Sequence, residues 1–320
     1  MKWTEVLRRR LAGIKAEHAA IARGEDPRSI IPTGLREFDK RAGFKRKLLH
    51  ILGAATGEGK SIVKLHMMKA AAKRGYRVLV LDFEDPEERT ADRDFAGETG
   101  INSARMVAGD LDDKEIYRLG LALAEMEEWS DNIEYEPGLK TAERAMEVVR
   151  ENPDVDLVLV DYLSALPHGK HGRERTISDF CWQLTEWAQC RYEGDEIGGA
   201  VVAFAQTNNE VSERGKQRVE NLIRFQRAGD KLDPEKLIAG FRPFDASDLA
   251  WCTDSGRTAK ELWFLFRPGR YLQKLKQRAQ DNVMEFYSPK RNFGSEGTIA
   301  VGLDLKTATL FDLPEKKEAS

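Results

Sequence analysis

From Lys47 onward, short apolar runs alternate with longer stretches whose apolar residues recur at helical spacing. The runs Leu48–Leu52, Arg77–Phe83, Leu157–Asp161 and Ala200–Gln206, with Leu262–Arg267 as a fifth, read as strands. Between them the spacing predicts helices over Ser61–Arg74, Pro86–Thr99, Asp113–Trp129, Thr141–Glu151 and Thr176–Tyr192. Strand and helix in alternation is the pattern of an α/β fold with a mainly parallel sheet. The segment after Gln206 reads as a long loop region. Met284–Tyr287, Thr298–Asp304 and Thr307–Phe311 read as short antiparallel strands closing in a C-terminal hairpin.

Residues 1–24 place Trp3, Val6, Leu7, Leu11, Ile14, Ala20 and Ile21 near one helical face, and Gly24 ends the helix. EDPRSIIPTG follows as a linker. A helix tethered in this way has two places to bury its stripe, its own domain or a neighbouring subunit, and the sequence favours neither. The expected organisation is an N-terminal helix and linker over residues 1–30, one large domain over 31–313, and a charged, frayed tail over 314–320.

With 51 Lys and Arg against 54 Asp and Glu, the overall charge neither indicates nor excludes a nucleic-acid partner. Local patches must decide. Cys181, Cys190 and Cys252 lack metal-ligand spacing and suit a reduced compartment. The first residues lack the apolar core of a secretory leader, and no run approaches the length of a membrane span. A soluble, cytoplasmic protein with no membrane partner is expected.

The most specific motif is LLHILGAATGEGKS, residues Leu48 to Ser61, an apolar strand running into a glycine-rich loop that ends in Lys-Ser. In such a loop, here Gly53, Ala54, Ala55, Thr56, Gly57, Glu58 and Gly59, backbone N–H groups turn inward around a polyphosphate. Lys60 then adds a point charge at the β- and γ-phosphates, and Ser61 offers a hydroxyl to Mg²⁺. The first position of the usual G-x-x-x-x-G-K-[ST] pattern is Ala54, with Gly53 beside it.

Glu84 follows the strand Arg77–Phe83, which a right-handed crossover places in the same sheet with its carboxyl end near the nucleotide. A carboxylate there can orient and deprotonate the attacking water. The competing use is to cap the next helix, a role for which Asp85, before Pro86, is the better candidate. DLVLVDYLSAL ends its strand in Asp161, the form of a Walker B segment whose aspartate reaches Mg²⁺. Gln206 ends the strand of AVVAFAQTNN, where an amide can bond both a γ-phosphate and the following loop, or simply cap the strand.

Basic residues cluster in three places. Arg214, Lys216, Arg218, Arg224 and Arg227 face a single acid, Glu220, and suit either a phosphate backbone or a solvated helix face. The loop HGKHGRER after Asp161 carries Lys170, Arg173 and Arg175; its His168 and His171 have no catalytic partner at a suggestive spacing. Arg267, Arg270, Lys274, Lys276 and Arg278 fit a nucleic-acid face or a subunit contact. Near the C-terminus, Lys290 and Arg291 precede a glycine turn, where an arginine can reach a neighbour's γ-phosphate or lie on the surface.

Taken in order, these residues resemble the C-terminal ATPase domain of the DnaB-type replicative helicases, within the RecA-like P-loop superfamily. The likeness runs from about Ile31 to Leu313 through IPTGLREFD, GAATGEGKS with alanine at the same first position, VLVLDFEDPEE, LVLVDYLSAL, VVAFAQTNN and PKRNFGSEGTIAVGLD. The last of these is the most specific to the family. The resemblance implies a RecA-like core, ATP and Mg²⁺ held by Lys60 and Ser61, Glu84 as catalytic base, Asp161 as Walker B acid, Gln206 as sensor, and Arg291 as a finger supplied in trans. The family pairs that arginine with a lysine two positions earlier, where this chain has Pro289, and Lys290 is the available substitute.

It also implies a homo-oligomer, a hexameric ring on single-stranded DNA that separates the duplex, with the loops after Asp161 and Gln206 lining its channel. A primase or a helicase loader is the implied protein partner. In place of the family's helical N-terminal domain stands the short first helix, which resembles the linker helix that docks on an adjacent subunit. Two other classes fit the same nucleotide residues: a RecA-like recombination ATPase, which the Arg291 hairpin argues against, and a non-translocating loader or switch, which Glu84 argues against.

Overall fold

A strand covered on both faces reads as a nearly continuous apolar run, and Leu49–Ala54, in which His50 is the polar exception, is buried throughout. It lies at the centre of the sheet in the computed structural model, which describes residues 2–27, 29–41, 43–167, 172–191, 197–225, 233–243, 245–291 and 297–314. The first elements are α1 (Trp3–Ala22), β1 (Ile30–Ile31), α2 (Arg36–Arg41), β2 (Phe44–Lys45), β3 (Leu49–Ala54), α3 (Lys60–Ala72) and β4 (Val78–Asp82). Then come α4 (Glu87–Thr99), α5 (Ser103–Ala108), α6 (Asp113–Ser130), β5 (Ile133–Glu136), α7 (Ala142–Glu151), β6 (Leu157–Asp161), α8 (Arg173–Gln189) and β7 (Ala200–Gln206). The remainder is α9 (Asn209–Arg224), α10 (Pro234–Ile238), α11 (Thr253–Thr258), β8 (Glu261–Phe266), α12 (Pro268–Lys274), β9 (Val283–Arg291), β10 (Gly297–Asp304) and β11 (Thr309–Phe311).

Among the described residues the main sheet runs β11-β10-β9-β8-β3-β7-β6-β4-β5. From β8 to β5 every pairing is parallel, whereas β9, β10 and β11 add on antiparallel. Successive side chains divide between two layers. Ile51, Leu79, Val158, Ala203 and Phe264 pack with α7 and α8 residues such as Val149 and Phe180, while Leu52, Val80, Leu159, Val202 and Leu265 pack with Val63 and Met67 of α3. The fold is the expected RecA-like α/β core with a C-terminal antiparallel extension and an N-terminal helix. Among the described residues no helix is long and apolar enough to cross a membrane.

Two differences from the sequence reading have simple causes. Strand β5, IEYE, escapes the sequence pattern because it is short, half polar and paired only with β4 at the sheet edge. The region after Gln206 begins with the helix α9 where a loop was expected. Its buried stripe, Val211, Gly215 and Val219, is narrow and hidden among charges. Gly215 is required there: a Cβ would lie 2.1 Å from the Phe241 ring. Helix α1 forms as expected, yet only Ala20 is buried, while Trp3, Leu7, Leu11, Ile14 and Ile21 are exposed.

Helix α3 is fixed to the sheet by a charge as well as by its apolar face. Lys64, one turn beyond Lys60, is 1% exposed and places Nζ 2.5 Å from Asp82 Oδ2 and 2.8 Å from Asp161 Oδ2. Burial opposes the ammonium charge, but Asp161 and Asp82 outweigh it and hold Lys64 above the ordinary lysine range. The Tyr135 hydroxyl of β5 also donates to Asp82 Oδ2, at 2.7 Å. Replacing Lys64 by Met should leave two buried carboxylates side by side and cost about 3–5 kcal/mol in urea unfolding. Adding Asp82→Ser should recover much of that loss; a Lys64→Met protein as stable as the parent would show that the ammonium does not bind these strands together.

Candidate functional site

Parallel pairing brings several strand ends to one edge: Ala54 lies opposite Gln206, and Asp82 opposite Asp161. The crevice beyond such strand ends is where ligands bind in open α/β sheets. Here it is a cleft of about 390 Å³ whose lining includes Thr56, Lys60, Ser61, Glu84, Asp161 and Gln206.

The glycine-rich loop bends through Gly57 at φ +78° and Gly59 at φ +102°, backbone conformations that L side chains rarely adopt. Helix α3 starts at Lys60, so its first N–H groups, which have no partner within a helix, belong to the loop. Gly53 and Ala54 sit inside β3, and a Cβ on Gly53 would come within 2.5 Å of Phe264. Ala55 accepts a backbone bond from Glu58 at 3.1 Å. Lys60 Nζ rests 3.5 Å from the Ala54 carbonyl and 5.5 Å from the Tyr162 ring centroid. Burial pulls its pKa down, and Asp161 and Glu84 only partly offset this.

Glu58 points away from the cleft and is 1% exposed. It accepts from Arg270 Nη1 at 2.6 Å and from the Arg267 backbone N–H at 2.8 Å, while Arg267 Nη1 donates to the Gly57 carbonyl at 2.7 Å. Burial raises the Glu58 carboxyl despite the opposing Arg270. Two arginines of the third basic cluster therefore brace the loop. Their acidic partners, Glu58 and Asp281, lie outside the run of basic residues, so the pairing was not visible along the sequence.

Asp82 shapes the turn that carries Glu84. Its Oδ1 accepts from the backbone N–H of Glu84 at 3.0 Å and of Asp85 at 2.9 Å. Asp85, expected to cap α4, pairs with Arg93 at 2.7 Å and Arg89 at 3.1 Å; these arginines draw its carboxylate along the helix, and Pro86 takes the cap position. Glu84 remains exposed at the cleft. Burial first, then the charges of Asp161 and Asp85, raise its pKa. Ser61 and Asp161 line the same space and supply hard oxygen donors of the kind a divalent cation such as Mg²⁺ takes. Gln206 Nε2 donates to Thr56 Oγ1 at 2.5 Å, tying the end of β7 to the glycine-rich loop.

The other candidates lie apart from this cleft. Arg214 makes a double contact with Asp248, at 3.0 Å on each oxygen, and also bonds the Arg242 carbonyl. Lys216 pairs with Glu213 at 2.7 Å, and Arg218 Nε donates to the Lys236 carbonyl at 3.2 Å. Arg175 pairs with Asp179 at 3.0 Å, and the Arg173 guanidinium lies over the Trp251 ring. Lys170, His168, His171 and Arg227 lie outside the described residues. For Lys290 and Arg291 the backbone is described: they end β9, opposite Leu262 and Glu261. Sequence reasoning misses Lys64, Asp82, Arg89, Arg93 and Trp251. For Asp82 a signal existed, since LVLD ends its strand in an acid just as LVLVD does at Asp161.

The chain is 25% identical over 195 residues to the replicative DNA helicase DnaC of Bacillus subtilis (strain 168), covering 59% of this chain and 42% of that protein. It thus spans well under half the length of that relative. Among solved structures, one described as an ATPase domain superposes with a TM-score of 0.74 at 20% identity, covering 98% of this chain and 99% of that one. A DnaB-like replicative helicase, solved in a study of its interactions with primase, superposes with a TM-score of 0.70 at 21% identity, covering 89% of this chain and 62% of that one. The family described as DnaB-like helicase C terminal domain matches residues 30–222, and the chain belongs to that family.

Proposed function

We propose that this chain is an ATP-driven motor that assembles into a ring, hexameric by family likeness, moves along single-stranded DNA and separates the duplex. The observation that carries the reading is the convergence of Lys60, Ser61, Glu84, Asp161 and Gln206 on one cleft, in a chain of this family. Lys60 and the loop N–H groups bind the phosphates of ATP. Ser61 and Asp161 hold Mg²⁺, which when bound neutralises charge on the β- and γ-oxygens. Glu84 takes the proton of the attacking water, and its raised pKa makes it a stronger base than an ordinary glutamate. Gln206, on Thr56, reports the state of the phosphates to the segment beyond β7.

The other half of the site belongs to the next subunit. Arg291 at the end of β9, with Lys290 beside it, supplies positive charge in trans, and the exposed stripe of α1 is covered by a neighbour. DNA contact falls to the segments after β6 and β7, with Lys170, with Arg173 and Arg175 at the start of α8, and with Lys216 and Arg218 on α9, as the basic contributors; Arg214, paired with Asp248, shapes that region. A primase or a loader is the proposed protein partner in a cytoplasmic replication setting.

ATPase and unwinding assays with and without single-stranded DNA test the reading. Hydrolysis should rise on adding the strand. Glu84→Gln should lower kcat by about 10²-fold or more, and should remove an acid limb of kcat/KM that lies at higher pH than an ordinary glutamate would give. The base works only when ionised, so a raised pKa moves that limb upward. Wild-type hydrolysis by Glu84→Gln would reject the assignment. In mixing experiments Arg291→Ala subunits should depress activity more steeply than their share, whereas a strictly proportional fall would rule out action in trans.

A further inference from the structure

We propose that Trp251 is a nucleobase platform, a site where one base of the single strand stacks, built directly behind the sensor glutamine. This rests on the single-strand reading above, which by itself assigns only basic side chains to the strand.

Folding does not account for this tryptophan. The residue is 54% exposed, while Leu249 and Cys252 around it are buried. Its φ is +62°, in the left-handed region that bulky residues rarely occupy. A small residue, asparagine or glycine, would hold that turn with less strain. A large aromatic ring held strained and exposed is the kind of feature that collects at ligand sites. Trp182 and Phe225 are exposed as well, but they lie within α8 and just after α9 on ordinary backbone.

The turn is held from both catalytic strands. The Ala250 N–H donates to the Gln206 carbonyl at 2.7 Å, and the Ala250 carbonyl accepts from Ser164 Oγ at 3.0 Å, just beyond the strand that ends in Asp161. Asn208 adds two more ties, from its N–H to the Asp248 carbonyl at 2.8 Å and from Nδ2 to the Ser247 carbonyl at 2.9 Å. The ring therefore stands one peptide away from a residue bonded to the sensor. Gln206 thus joins this turn through its backbone carbonyl and the glycine-rich loop through its side-chain amide on Thr56.

The surroundings select the ligand. The Arg173 guanidinium lies 5.7 Å from the ring centroid, and its Nε has no hydrogen-bond partner among the described residues. Beside it is a cleft of about 520 Å³ lined by Arg173, Asn208, Asn209, Ser247, Trp251 and Thr253, sharing Tyr162 and Gln206 with the nucleotide cleft. A flat ring, an arginine and neutral hydrogen-bonding groups match a base with its adjoining phosphate. Every base has a π-face, so such a platform is indifferent to sequence, as a moving contact must be. Paired bases in a duplex are already stacked and are refused.

The test is fluorescence anisotropy with labelled oligo-dT and with the same strand carrying abasic positions, in a non-hydrolysable ATP analogue and Mg²⁺. Trp251→Asn removes the ring and relieves the backbone; Trp251→Phe keeps a stacking face. Wild type should bind oligo-dT about tenfold or more tightly than the abasic strand. Trp251→Asn should lose that preference, bind the abasic strand as wild type does, and keep the wild-type salt slope, since no phosphate contact is removed. Trp251→Phe should retain most of the preference. Equal oligo-dT affinity for Trp251→Asn and wild type, or equal weakening on both strands, would overturn the platform. Failure of the wild type to bind any single strand would instead overturn the motor reading on which the platform rests.

Discussion

One buried ammonium organises the catalytic edge. Lys64 sits between Asp82 and Asp161, so the helix that follows the glycine-rich loop, the strand that leads to Glu84 and the strand that ends in Asp161 meet at one nitrogen. Isolated, any of these charges would be costly inside the protein; together they offset one another. The arrangement also has a direction. Asp82 presents one oxygen to Lys64 and Tyr135 and the other to the N–H groups of Glu84 and Asp85, so the turn bearing the proposed base inherits its position from the core.

A second brace works from the opposite side. Glu58, a side chain of the phosphate loop, is turned into the protein and held by Arg270 and the Arg267 backbone. The loop is thus fixed by Lys64 through α3 and by Glu58 through β8 and α12, while its glycines keep the N–H groups available to a ligand. Preorganised donors of this kind lower the reorganisation needed as charge develops on a transferring phosphate. Arg89, Arg93 and Arg267 also line the cleft, but their guanidinium groups pair with Asp85 and Asp281; the proposed further charge for the transferring phosphate is a neighbouring Arg291.

Much of this was legible in the residues. The apolar runs located the parallel strands because burial on both faces leaves little room for other residues, and GEGKS, Glu84, Asp161 and Gln206 marked strand ends that a parallel sheet must bring together. What escaped depends on pairing across the fold. Arg267 and Arg270 read as a basic face because their acids, Asp281 and Glu58, stand elsewhere in the chain. Arg214 read as part of a cluster suited to a phosphate backbone or a solvated helix face, and its partner Asp248 stands far along the chain. Nothing along the sequence singles out Lys64 among the lysines of its helix, and α9 looked like a loop because its buried stripe is narrow. Trp251 gave no signal, since exposure and a left-handed φ are properties of the folded backbone.

The central claim is that hydrolysis requires a site shared between subunits. Specific ATPase activity measured against protein concentration, with the assembly state determined by mass photometry in ATP and Mg²⁺, tests it most directly. The account predicts activity that rises in step with the oligomer and is negligible for the dilute monomer. A monomer hydrolysing ATP at the specific rate of the assembled protein would contradict it.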